Sequence, residues 1–194
     1  MKDKITEKSI ELFGEKGFNE TSIQDIVDSL GVTKGTFYYY FESKQQLLMD
    51  IHLTFINYLL SRQEEILSDQ SKSCKTKVFD IVRMLIKNIE KHGWDALIFF
   101  REIRHLNEEQ MDKIVKKRSL FQHHLEDLIK SGISQREFRS DLPADIVTLG
   151  ILGMCNWSYF WFDPEGRVPD EKVAMIYVEM ILNGITVQKE NGPK

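Results

Sequence analysis

Cysteine is nearly absent: the 194-residue chain has two, Cys74 and Cys155, in unrelated segments. Two such thiols build no disulfide framework, and an isolated apolar cysteine is usually a packing residue, so a reduced compartment is the simple reading. Proline is scarce too, with four residues in all, and glycine is sparse inside the periodic segments. No apolar run approaches the roughly 18 residues that a membrane-spanning helix needs. The opening stretch MKDKITEKSIELFGEK is charged and amphipathic, without the apolar centre of a signal peptide. These absences predict a cytoplasmic protein with no membrane partner. An excess of positive charge is also missing: 26 Lys and Arg stand against 30 Asp and Glu, a net charge of −4. Residues 1–50 carry six lysines against nine acids. Non-specific nucleic-acid binders usually show a basic footprint, so any contact with DNA must depend on where the few cations lie.

What is present is helical periodicity. Apolar residues recur at three and four rather than in alternation, which predicts an all-α fold of about nine helices. The first runs from about Lys2 to Lys16 and stops at Gly17, with Ile5, Ser9, Leu12 and Phe13 inward. Thr21 is expected to cap the second, with Gln24 completing a capping-box pattern, and Thr33 opens the third. Ser43 starts a long fourth helix through Leu47, Leu48, Ile51, Phe55 and Leu59. A fifth (about 75–91) ends at His92-Gly93, a sixth spans 95–105 and a seventh runs over 108–131 to Gly132. An eighth begins near Asp141-Leu142-Pro143 and reaches about Phe162. After the breaker DPEGRVP (163–169), a ninth covers about 170–188, and the tail QKENGPK is expected to fray. The natural division is a domain over residues 1–46 and a second over 47–194.

The segment TSIQDIVDSLGVTKGTFYYYFESKQQLL (21–48) carries the functional reading. Two short helices separated by Leu30-Gly31-Val32 form a helix-turn-helix pattern, in which the second helix enters the major groove of duplex DNA. Residues 29–41 contain one lysine and no acid. Thr33, Lys34 and Thr36 offer short or flexible donors to base edges. Gly35, with no β-carbon, lets the backbone come close, at about 1 kcal/mol relative to alanine in mid-helix. Tyr38, Tyr39 and Tyr40 point in three directions, so packing alone explains them poorly, whereas Phe37 and Phe41 suit the interior. Thr21 and Ser22 at the start of the second helix are candidate DNA contacts, and Lys44 at the start of the fourth is placed to meet a phosphate.

The ordered landmarks Leu12, Phe13, Gly17, Phe18, Ile23, Ile26, Gly31, Val32, Gly35, Tyr38, Phe41, Lys44 and Leu47 resemble the N-terminal domain of the TetR family of bacterial transcriptional regulators. That resemblance implies a three-helix DNA-binding domain and a divergent C-terminal domain that dimerises and holds a small-molecule pocket. Such proteins are generally repressors that leave a palindromic operator when an effector binds. Tyr40 departs from the family pattern, where histidine is frequent, but its hydroxyl can still donate to a phosphate.

In the second half, Ile146, Leu149, Gly150, Gly153, Trp157, Phe160 and Trp161 fall on one stripe of the eighth helix, and Ala174, Val178, Ile181 and Ile185 on one of the ninth. Paired with a symmetry mate, these two helices predict a homodimer interface. One helix-turn-helix reads too few base pairs for useful specificity, so a dimer is needed. Two clusters suggest an effector site: Trp94, Phe99, Phe100, Arg101 and Arg104, and Asn156, Trp157, Phe160 and Trp161. Aromatic walls beside arginines suit an amphiphile with an anionic head. The stretch GMCNWSYFW after an Asp-Leu-Pro start resembles TetR-family regulators of fatty-acid or sterol degradation that sense acyl-coenzyme A thioesters. The plain alternatives are core or interface aromatics with solvated arginines, an effector of another class such as a drug-like apolar molecule, or a DNA-binding dimer with no effector.

No enzyme is expected. GVTKGT lacks the spacing of a phosphate loop, no Ser, His and Asp residues are aligned by pattern as a triad, and the five histidines have no metal-ligand spacing. No cofactor or metal is implied.

Overall fold

The start of the second helix shows how side chains set the architecture. Ser22 Oγ accepts from the Asp25 amide at 3.1 Å, and Asp25 Oδ2 accepts from the Ser22 amide at 2.7 Å. This reciprocal capping box satisfies two amides that no helix turn can reach. It sits one residue later than the Thr21–Gln24 box expected from the sequence. Gly31, at φ +63°, then makes the turn, and Thr33 Oγ1 caps the third helix by accepting from the Thr36 amide.

The structure, a computed structural model, describes residues 1–186, with every side chain there except that of residue 91. Its helices are α1 (Lys2–Lys16), α2 (Ile23–Ser29), α3 (Lys34–Tyr40), α4 (Lys44–Ser68), α5 (Cys74–Arg101), a 3-10 helix η1 (Ile103–His105), α6 (Glu108–Ser134), α7 (Ala144–Trp161) and α8 (Asp170–Ile185). Among the described residues there is no strand, so the all-α expectation of about nine helices holds. The expected tail QKENGPK lies outside the described residues. None of the described helices is long and apolar enough to cross a membrane.

One expected boundary holds and one differs. The helical run α5 is two helices meeting at a kink, where His92 takes the non-helical torsions φ −131° and ψ 27°, at the break expected from His92-Gly93. Asp141 does not cap α7, because Arg139 holds its carboxylate at 2.6 and 3.0 Å, and Pro143 stands at the cap position instead.

Two compact units divide the described residues: 1–59 with 92–118, and 60–91 with 119–186. In the first, Ile5, Phe13, Ile26, Phe37, Leu47 and Leu48 are fully buried. In the second, the Glu137 carboxylate accepts from the Cys74 and Lys75 amides at the start of α5, a remote cap that also favours the helix dipole. Buried Gln63 donates to Phe121 O and meets His124 Nδ1. Both cysteines are buried, and burial pushes the Cys155 thiol up to about 12, which makes it inert as a thiolate.

His52 is fully buried in the first unit, with Nδ1 2.9 Å from Leu48 O and Nε2 without a partner. Burial pulls its pKa down to about 4, against smaller raising effects from Leu48 O and Glu102, while Arg118 adds to the lowering. The unfolded chain therefore takes a proton near pH 6.5 that the folded chain refuses until about pH 4. The stabilisation is complete above pH 6.5 and is lost as pH falls through that window. Between pH 7 and 5 the native protein should lose about 2 kcal/mol more unfolding free energy than His52→Gln. Chemical denaturation at both pH values measures it, and parallel losses would refute the assignment.

Candidate functional site

The corner between α1 and α2 orients the helix-turn-helix. A helix end leaves carbonyls without intrahelical donors, and here donors arrive from several directions. Thr21 Oγ1 donates to Leu12 O at 3.2 Å and Gly17 O at 2.8 Å. Lys44 Nζ donates to Phe18 O at 2.6 Å and Thr21 O at 2.5 Å, and lies 4.3 Å from the Phe18 ring centroid. Gly17 adopts φ +91°, a conformation other residues rarely take. Phe18 packs edge-on to Phe13 and stacks with His105 at 5.2 Å.

This geometry changes two sequence assignments. Thr21 is fully buried, with its hydroxyl engaged inside, so it offers nothing to a phosphate. Lys44 has two of its three donors on backbone carbonyls, and desolvation lowers its pKa. Its first role is to tie α4 to the corner, leaving one donor for DNA.

The remaining head residues form an outward surface. Ser22, Thr33, Lys34, Gly35, Tyr38 and Tyr39 are exposed, and Thr36 and Tyr40 are half-buried. Tyr39 is 80% exposed, its ring edge-on to Tyr40. Packing does not demand glycine at position 35, since a β-carbon there meets only Thr33 Oγ1 at an ordinary 3.5 Å. Nearby acids are already engaged: Asp25 in the capping box and Asp28 by Gln24 Nε2 at 2.6 Å.

The first aromatic and arginine cluster does not form one pocket wall. Trp94 packs on Gly14, where an added β-carbon would fall 2.2 Å from the indole. Phe99 is buried between His52 and Phe55. Arg101 donates from Nη2 to Phe13 O at 2.6 Å and Gly14 O at 3.1 Å, while Nε holds Glu102 at 2.7 Å. Trp94 and Arg101 thus brace α1, and Phe99 packs on α4. Phe100 is half-buried beside Phe99, and Arg104 is exposed next to His105. The sequence reading missed Arg118, whose guanidinium lies 5.7 and 5.5 Å from the Phe99 and Phe100 rings. Nothing in the run Lys116-Lys117-Arg118 distinguishes it from its neighbours. The Trp94 contact had one signal, a glycine in mid-helix at position 14.

In the second unit, Ile146, Leu149, Trp157, Phe160 and Trp161 of α7 are all at least half exposed, and a β-carbon on Gly150 or Gly153 would meet nothing within 4 Å. Asn156 is half-buried. On α8 the stripe expected at a dimer interface faces inward: Ala174, Val178, Ile181 and Ile185 are buried in the unit's own core. The outer face of α8 carries Met175, Ile176 and Met180 instead. The sequence pattern identified an apolar stripe but could not choose between core and partner. Among the described residues no cluster of His, Cys, Asp and Glu is arranged to hold a metal.

Two family models match the chain: "Bacterial regulatory proteins, tetR family" over residues 5–51, and "Tetracyclin repressor-like, C-terminal domain" over 71–185. Among curated relatives, the HTH-type transcriptional repressor KstR2 of Mycolicibacterium smegmatis is 27% identical over 186 residues, covering 95% of this chain and 90% of its own. The structure of the ketosteroid transcriptional regulator KstR2 of Mycobacterium tuberculosis superposes with a TM-score of 0.89 at 24% identity, over 96% of this chain and 95% of that one. AibR, solved with isovaleryl coenzyme A and operator DNA, has the same fold, with a TM-score of 0.83 at 23% identity over 92% and 96%. These families are regulators rather than enzymes. An acid-free outer surface on a braced helix-turn-helix, followed by a helical domain matched over most of its length, makes this chain a member of the TetR family of bacterial transcriptional regulators.

Proposed function

We propose that the chain is a homodimeric repressor that binds a palindromic double-stranded operator through α3 and leaves it when a small amphiphile, an acyl-CoA, binds. The observation that carries the DNA half is the exposed, acid-free surface of Thr33, Lys34, Tyr38 and Tyr39. Short donors at the start of such a helix reach base edges, and tyrosine hydroxyls reach phosphates. The outer faces of α7 and α8 supply the dimer contact, since a contiguous apolar face of this kind usually marks an interface. A regulator of chromosomal DNA works in the cytoplasm.

Three observations support the effector. KstR2 is described as a ketosteroid regulator, and AibR binds a coenzyme A thioester on the same fold. The second unit also holds unused hydrogen-bonding capacity. Both amide atoms of buried Asn88 and the hydroxyl of buried Thr148 have no partner. An orphaned polar group of this kind costs roughly 1–3 kcal/mol, which a ligand with its own donors and acceptors would recover. A second reading, a DNA-binding dimer without effector, is favoured by the engagement of Trp94, Phe99 and Arg101 in packing.

Three outcomes test this. Lys34→Ala should flatten the salt dependence of duplex binding by about one ion, while Lys44→Ala should chiefly lower the melting temperature; the reverse pattern would reassign the two lysines. Palmitoyl-CoA should weaken binding to a duplex selected from a random pool by about tenfold or more in fluorescence anisotropy, with free coenzyme A inactive. Indifference to every chain length removes the acyl-CoA and leaves the effector-free reading. Asn88→Leu should raise the unliganded protein's stability by about 1 kcal/mol and abolish that response; an unchanged response would place recognition elsewhere.

A further inference from the structure

The end of α1 is held from a site far along the chain. Arg101, 88 residues beyond Phe13, places Nη2 on the carbonyls of Phe13 and Gly14 at 2.6 and 3.1 Å. Its Nε is fixed on Glu102 Oε1 at 2.7 Å, and Glu102 is almost fully buried. Glu102 Oε2 faces His105 Nε2 at 3.3 Å, and His105 O accepts from Gln45 Nε2 at 2.8 Å. Trp94 lies seven residues before Arg101 and so on the same face of α5. Its indole occupies the space of a β-carbon at Gly14, with ring atoms 2.2, 2.6 and 2.9 Å from that position. Two side chains from one helix face therefore grip one turn of α1.

The location of this grip gives it meaning. Residues of α5 belong to the second unit up to Lys91 and to the first from His92. At that boundary His92 has non-helical torsions. The short α5 segment beyond the kink carries both gripping residues, and the gripped turn of α1 leads directly into the corner that carries α2 and α3.

We propose that Trp94 and Arg101 are positioning residues for operator recognition, fixing the direction in which each head of the dimer presents α3 so that one half-site spacing is strongly preferred. This rests on α3 being the DNA-reading helix. Neither side chain touches nucleic acid; each acts through α1. A head held in one orientation loses little freedom on binding a matched palindrome. A loosened head samples many orientations, so it binds that palindrome more weakly and discriminates less against other spacings.

The test uses the full-length protein. A palindromic duplex is selected from a random pool with the native sequence. It is then rebuilt as an isolated half-site and as palindromes with spacing changed by one or two base pairs. Anisotropy titrations compare the native protein with Trp94→Ala, Arg101→Lys and the double variant Arg101→Met/Glu102→Gln, which removes the guanidinium without stranding a buried carboxylate. The native protein should lose about tenfold in affinity for each altered spacing. Trp94→Ala and the double variant should bind the selected palindrome about tenfold more weakly, vary less than about threefold across spacings, and match the native protein on the isolated half-site within about twofold. Arg101→Lys should recover part of the spacing preference, because an ammonium can still donate to a carbonyl. A spacing profile parallel to the native one in both altered proteins overturns the proposal. Equal losses on half-site and palindrome overturn it too, because they mean damage to the reading surface itself. If the native protein selects no duplex at all, the DNA-reading assignment fails before any variant is compared.

Discussion

The carbonyls at the end of α1 set the terms for everything in the reading head. A helix that stops at Lys16 and turns through Gly17 leaves acceptors that water or side chains must satisfy. Here Thr21 supplies a donor from nearby and Arg101 one from the end of α5, while Lys44, at the start of α4, holds the Phe18 and Thr21 carbonyls of the loop that follows. Each donor is itself immobilised: Thr21 by burial, Lys44 by contact with the Phe18 ring, Arg101 by Glu102. The direction of α2 and α3 is thus fixed by hydrogen bonds whose donors lie up to 88 residues away. This explains why the compact unit containing the helix-turn-helix also includes residues 92–118.

The same arrangement resolves the conflict between an acidic head and a polyanionic partner. Asp25 serves the capping box, Asp28 holds Gln24, and Glu11 pairs with Lys8 at 2.7 Å. Hydrogen bonding to Ser22 holds the Asp25 carboxyl below its ordinary value, so it remains ionised, but its charge is tied to the α2 N-terminus. The face of α3 keeps Lys34 and polar hydroxyls free of carboxylates. Such a surface contributes little non-specific attraction, so discrimination has to come from shape, direct readout and paired heads.

Local pattern made much of this legible, and the failures share a cause. Helix ends at Lys16, the turn at Gly31 and the cap at Thr33 follow from side chains within a few residues of each other, and the structure has them there. The capping box moved by one residue because TSIQ and SIQD both fit the pattern, and only tertiary burial of Thr21 decides between them. The stripe of Ala174, Val178, Ile181 and Ile185 was found, but periodicity gives a face and not its partner. Trp94 and Arg101 read as ligand residues because their partners on α1 lie far off in sequence. In each case a local signal was correct and a long-range contact chose its use.

Both units keep buried polar atoms without partners, His52 Nε2 in the first and Asn88 and Thr148 in the second. Around the α1–α2 corner the exposed ends of the backbone have donors, and the arginine and tryptophan beside them are committed to packing. In the second unit, Asn88 and Thr148 keep buried polar atoms without partners, and the outer face of α7 keeps large aromatics in water. Both conditions are costly for an isolated chain. In the dimer proposed above, a partner subunit relieves the second cost by covering Trp157, Phe160 and Trp161, but it does nothing for a polar atom already buried inside. Relief of the first requires something that enters the unit carrying hydrogen-bonding groups of its own. On the effector-responsive reading proposed above, Asn88 and Thr148 are therefore the groups that a bound small molecule satisfies.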